Sequence, residues 1–296
     1  MNRMRLARYA ASAAILAVFI LLVEHWVGWT RLLRPWLSVP PAAVGGAALL
    51  FAGSHALRAL RVFDYFRGEM RGAFALCLKL TLTHNLLNHL LPMRAGELGF
   101  PLLMSRWFGI GGVRSVSVLL WFRLLDAHTL AGFAIAAWFW PAALPWFALP
   151  FFLRRKPGAA RGLASRFLRG KPLAVARQAV DSWPQSQAAF LRAWAWTLLN
   201  WGVKIGVFAW VLRLFAEVPA AAAVTAAALG DATSILPIHG IAGAGTYEAG
   251  VVAGLTLASA IPPRTALAAA VNLHLFILGT VFAGGIVALL IPRRRG

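Results

Sequence analysis

The chain has 296 residues, of which 60% are hydrophobic and only 13% charged, with a mean hydropathy of +0.72. A soluble domain carries about a quarter of its residues as Asp, Glu, Lys and Arg, so a soluble domain is excluded. The formal charge of +20 invites a nucleic-acid reading, but its placement argues against one. The cations stand in blocks between apolar runs: Arg3, Arg5 and Arg8; Arg58 to Arg71; Arg154 to Arg177; and Arg293 to Arg295. Such blocks orient membrane proteins, and contact with anionic lipid head groups is a second role for them.

Apolar runs at 9–23, 197–212 and 275–291 approach the roughly 20 residues a helix needs to cross a bilayer. Backbone groups in lipid must be satisfied internally, and the alternation of a membrane barrel is absent. The expected fold is all-α: a polytopic integral membrane helical bundle forming one transmembrane domain over 1–296. Cys77 is the only cysteine, so no intrachain disulfide can form. The basic N-terminus and its apolar run lack a small-residue cleavage site before Glu24, which predicts a retained first span over about 9–27.

In chain order, a second span is expected over about 40–60, ending in the block from Arg58 to Arg71. The segment 72–109 is apolar but broken near Pro92, Arg94 and Gly96, with basic residues on both flanks. It should enter and leave on one side as a re-entrant hairpin. Residues 115–153 have room for two spans, out and back, with the break among Pro141, Pro145 and Pro150. The basic, proline-containing stretch 154–189 reads as a cytoplasmic loop with short amphipathic helices on the membrane surface. A span over 190–214 leads outward. The segment 219–260, broken by Pro237, Gly240, Gly243 and Gly245, forms a second re-entrant hairpin, and 264–291 returns. Both termini are then cytoplasmic.

Span, broken hairpin and span thus occur at about 40–133 and again at about 190–291 with opposite orientation. Leu91-Pro92 precedes Gly96-Glu97, and Leu236-Pro237 precedes Gly245 and Glu248. Interrupted segments at matching places in inverted halves point to a transporter site at the bilayer midplane. Two unrelated kinks are the plainer alternative.

Among nine carboxylates, Glu97, Asp126, Asp231 and Glu248 fall within or beside apolar segments. A charge at the bilayer centre costs at least about 2.5–3.5 kcal/mol, so such residues face a cavity or a partner. Arg123 and Asp126 can pair across three residues, either as structure or along a substrate path. Arg94 and Glu97 repeat that spacing at the first break, where freed backbone groups favour a ligand. Thr81, His84, Asn85 and Asn88 form a polar stripe on one helix face. It can serve helix–helix hydrogen bonding or line a groove. His89 lies near that stripe, His239 lies at the second break, and Asn272 and His274 sit inside the last span. The seven histidines include no His-Glu-x-x-His pair, and one cysteine cannot build a thiolate zinc site. No Gly-x-Ser-x-Gly elbow is present, and Gly243-Ala-Gly245 follows no strand.

Asn88-His-Leu-Leu-Pro92-Met-Arg94-Ala-Gly96-Glu97 resembles the signature of the flippase-like membrane domain of lysylphosphatidylglycerol synthases. Arg123-Leu-Leu-Asp126 resembles that family's next motif, and Leu236-Pro237 through Gly243, Gly245 and Glu248 its third. The resemblance covers essentially the whole chain and implies lipid translocation between leaflets. The chain ends at Gly296, just after Arg293 to Arg295, so a stand-alone member without the aminoacyl transferase domain is expected.

The expected function is a lipid flippase or transporter of an inner membrane, with no catalytic residue, metal or cofactor. The candidate substrate-binding residues are Asn85, Asn88, Arg94, Glu97, Arg123, Asp126, Asp231, His239 and Glu248. The partners are membrane lipids with anionic or zwitterionic head groups; no nucleic acid is expected, and a homo-oligomer is left open. An enzyme acting on a polyprenyl-phosphate type of lipid-linked substrate and a non-transporting partner subunit are the rival readings.

Overall fold

The computed structural model describes residues 3–91, 96–153, 169–184, 186–233 and 241–293. The described residues are helical, with no strand among them: α1 (Arg3–Trp26), α2 (Trp29–Leu33), α3 (Pro41–Tyr65), α4 (Phe74–Leu90), α5 (Gly99–Phe108), α6 (Gly112–Leu153), α7 (Gly170–Asp181), α8 (Gln187–Phe215), α9 (Ala220–Ala232), α10 (Thr246–Ala258) and α11 (Pro263–Leu290). Among these, α3, α6, α8 and α11 are long and apolar enough to cross a membrane. Residues 16–26 and 29–37 form a bent pair at 83° that makes a fifth candidate if it is one broken span. The protein is an all-α, multi-pass membrane bundle.

Its surface fits that solvent. Leu49, Leu50, Leu102, Leu120, Leu257, Ile286, Leu289 and Leu290 are exposed, while Arg61, Lys79, Asp126 and Glu248 are buried. This reverses the pattern of a soluble protein.

α3 and α8 pack antiparallel at the centre. Phe51 meets Phe208, Arg61 reaches Thr197, and Arg192 pairs with Asp64, so positions descend along one helix as they ascend along the other. Around this pair stand two short hairpins. In the first, His84 of α4 lies over Phe100 of α5, and Gly99 approaches Leu87. Arg114 pairs with Glu69 across the hairpin's base, so the chain leaves on the side where it entered. In the second, α9 and α10 run antiparallel with backbones nearly touching. A Cβ on Gly254 would stand 2.4 Å from Ala226 Cα, and one on Gly250 would stand 2.8 Å from the Leu229 carbonyl. Only glycine permits that approach, as at small-residue helix interfaces in membranes.

Each hairpin leans on the long helix of the other half. α4 packs along α11, where Leu82 and Leu86 meet Gly284 and Gly285, and α9 packs against α6, where the Trp138 indole donates to Thr225 at 3.0 Å.

Two expectations change. The turn in α6 falls at Phe139, whose φ of −151° and ψ of 81° interrupt the helix before the three prolines. Pro141 then occupies the first turn of the returning limb, where its missing N–H costs nothing. The limb does fold back: Trp146 stacks on His128 and donates to its carbonyl at 2.9 Å. At 140–153 it is too short to cross by itself. The charge block at the end of α3 also begins later than expected. Arg58 and Arg61 point into the bundle, because α3 presents Phe51, His55, Arg58 and Arg61 on one face at helical spacing. Only the residues beyond Tyr65 remain to orient the chain at that end.

Candidate functional site

The two hairpin tips and the α3–α8 pair enclose a cavity of about 130 Å³. α3 contributes His55 and Arg58, α8 contributes Trp201 and Lys204, and α4 contributes Asn85, Asn88 and His89. Glu97 comes from the first tip, Arg123 from α6, Asp231 from α9 and His274 from α11. Charged groups from this many helices converge here because a bundle in lipid has nowhere else to place them.

Most of the charges are paired. Arg123 holds Glu97 at 2.5 Å, and Lys204 holds Asp231 at 2.7 Å. The Lys204 ammonium also lies over the Trp201 ring at 4.7 Å, an aromatic face that favours a cation. Behind the wall, Arg61 holds Asp126 at 2.6 Å, with the Trp201 indole donating to the same carboxylate at 2.8 Å. Glu248 meets His274 at 2.5 Å. Arg58 is different: among the described residues it forms no ion pair, and its Nε is buried without a hydrogen-bond partner. Asn88 Oδ1, Asp231 Oδ2, the Tyr247 hydroxyl and both His55 ring nitrogens are likewise buried without partners, and all belong to residues lining this cavity. Buried polar atoms in proteins are normally satisfied, so those lining this space call for a polar occupant, ordered water or a ligand.

Of the residues expected from sequence, Asn85, Asn88, Glu97, Arg123 and Asp231 line the cavity together. Asp126 and Glu248 stand one residue behind it, Asp126 behind Trp201 and Glu248 behind His274. Arg94 and His239 lie outside the described residues, as do Pro92 and Pro237. The expected Arg123–Asp126 pair is only a secondary contact at 3.6 Å, since each side chain has a closer partner on another helix. In the polar stripe of α4, Thr81 turns back to the Cys77 carbonyl, and the Asn88 amide reaches the His84 ring at 3.2 Å. Asn272 is structural: it accepts from the Trp36 indole and donates to the Leu32 carbonyl, fastening α2 to α11.

Arg58, Lys204, His55 and Tyr247 are lining residues not anticipated from the sequence. Lys204 carried a usable signal, as a lone cation between apolar turns flanked by Trp201 and Phe208 at helical spacing.

A comparison with curated proteins and one with solved structures returned no match. The family model for the lysylphosphatidylglycerol synthase TM region matches residues 9–285, from the first helix nearly to the end of the last. The helices that build the cavity all fall inside that match, and the chain belongs to the lysylphosphatidylglycerol synthase transmembrane-region family.

Proposed function

We propose that the protein moves lipid head groups between the leaflets of a bacterial-type inner membrane, the head group crossing through this cavity while the acyl chains stay in the bilayer. The observation that carries this reading is Arg58, a guanidinium with no ion pair among the described residues, inside a cavity whose other charges are mostly paired. Such a fork suits the phosphate of a phospholipid, with two N–H groups available to two oxygens. Glu97 and Asp231, already held by cations, can exchange those partners with an amino group on a zwitterionic head group.

The packing supports an inverted repeat of 40–133 and 190–291. α3 and α8 are antiparallel, and each hairpin leans on the other half's long helix, as two-fold related units would. The membrane-family match supports lipid as the cargo. Purified protein in liposomes should accelerate head-group exchange between leaflets over empty liposomes. Equal rates with and without protein would sink the proposal.

The charge blocks support a cytoplasmic location for both termini. Arg177 and Glu217 are exposed and lie before and after α8, the candidate span between them. In a background with Cys77 replaced, Arg177→Cys in intact cells should resist an impermeant thiol reagent and Glu217→Cys should react. The reverse pattern would invert the orientation.

A further inference from the structure

Glu248 and His274 form a constellation whose hydrogen count is fixed by its partners. His274 Nε2 lies 3.0 Å from the Ala242 carbonyl, which can only accept, so Nε2 carries a hydrogen. His274 Nδ1 lies 2.5 Å from Glu248 Oε1, and that contact also needs a hydrogen between its atoms. The other carboxylate oxygen accepts from the Gly245 N–H at 2.8 Å, capping α10. With every bond made, the group holds one proton more than a neutral imidazole and a carboxylate. It is either imidazolium with carboxylate or imidazole with carboxylic acid.

Removal of that proton leaves one N–H facing two acceptors. The charged carboxylate is the stronger acceptor, so the hydrogen goes to Nδ1 and the Ala242 carbonyl loses its donor. Ala242 is poorly placed to lose support. Its φ of +59° puts a residue with a side chain in the left-handed region, next to Gly243 at +84°. This turn is one lip of the cavity. Both partners are nearly inaccessible, but His274 itself borders the cavity, which gives the proton its way out.

We infer that Glu248 and His274 are a proton-binding site, separate from the head-group seat, whose deprotonation releases the 241–243 turn and so couples the cavity's opening to a proton. The coupling rests on the transport reading above; the proton site does not. No bond between heavy atoms changes, and the proton passes to water reached through the cavity. Tyr247 on α10 packs on the His274 ring, and the other charged and titratable groups lining the cavity that His274 borders are Asp231 on α9, Lys204 on α8, His55 and Arg58 on α3, His89 on α4, Arg123 on α6 and Glu97 at the first tip. On the other side, α1 and α2 lay Phe19, Val23 and Leu32 against Leu267 and Val271, an apolar contact. The decisive variants are therefore those at the pair itself.

Glu248→Gln imitates the proton-loaded state. Its amide oxygen can accept from Gly245 while its NH₂ donates to Nδ1. Amide hydrogen exchange over 241–249 should be measured for the full chain in nanodiscs, wild type against Glu248→Gln at each pH from about 5 to 9, a range that brackets the ordinary imidazole value. The ratio of the two cancels the chemical pH dependence of exchange. It should be near one at the acid end and rise to about tenfold at the basic end, the worth of one lost hydrogen bond. A ratio that stays flat overturns the proton site. If Glu248→Gln fails to fold, the wild type's own amide exchange in α8, which carries the same chemical pH dependence, serves as the reference, and the ratio should rise by the same factor from the acid to the basic end. In liposomes, a pH gradient should speed head-group exchange by the wild type and leave Glu248→Gln indifferent. A wild type indifferent to the gradient, or without any transport, overturns the coupling; a pH-dependent exchange ratio would then still uphold the proton site.

Discussion

Asp126→Ala should lower the stability of the bundle by about 3–5 kcal/mol, the cost of leaving a buried guanidinium unpaired. Arg61 and Asp126 are each only 4% exposed. Arg61 spans the carboxylate with Nη1 at 2.6 Å and Nη2 at 3.4 Å, and it also reaches Thr197 Oγ1 at 2.9 Å. Its guanidinium lies over the Phe122 ring at 4.3 Å. One pair thereby ties α3, α6 and α8 together. A thermal melt in detergent should show the loss directly. The double variant Arg61→Met with Asp126→Leu should recover most of it, because apolar side chains of similar volume replace buried ion pairs without penalty. A single variant that melts like the wild type yet fails to transport would move the pair from the scaffold into the substrate path. Normal melting with normal transport would remove it from both.

The contrast between Asp126 and Arg58 shows what the sequence could reveal and where it stopped. Spans were legible because length and hydropathy alone decide whether a helix suits a bilayer. The hairpins were legible because proline and glycine interrupt apolar runs and because basic residues flank 72–109 on both sides. Hydropathy is blind to direction, however. Arg58 and Arg61 looked like the start of the charge block that includes Arg67 and Arg71, and only the helical spacing from Phe51 and His55 separates an inward pair from an outward block. Pairing was less legible still. Arg123 and Asp126 are neighbours along the chain, but the helices that surround α6 offer each a closer partner: Glu97 from the first tip and Arg61 from α3. Tertiary packing decided those pairs, and no spacing in one chain records it. Phe139 follows the same logic. Three prolines marked the region of the turn, but the chain turns before the first of them, since a proline sits comfortably just inside a helix start.

Arg58→Gln should leave the fold intact and remove transport, the opposite outcome to Asp126→Ala. A guanidinium inside the bundle with no ion pair among the described residues contributes mainly desolvation cost, so its loss should leave the melting temperature unchanged or raise it. A phosphate in the cavity would lose a charge-assisted bidentate contact. At about 1.5–3 kcal/mol for a hydrogen bond to a charged group, affinity for an anionic head group should fall roughly 10- to 100-fold. Arg58→Lys retains the charge but loses the planar fork, so it should restore only part of that affinity. The measurement is leaflet exchange of an anionic lipid beside a lipid with an uncharged head group, in liposomes carrying each variant at equal protein content. If both variants move the anionic lipid at the wild-type rate, Arg58 does not hold the phosphate. A loss that is equal for anionic and uncharged lipids would place Arg58 in the opening of the cavity rather than in recognition. Only a loss confined to the anionic lipid, graded from arginine through lysine to glutamine, ties the unpaired guanidinium to the head group.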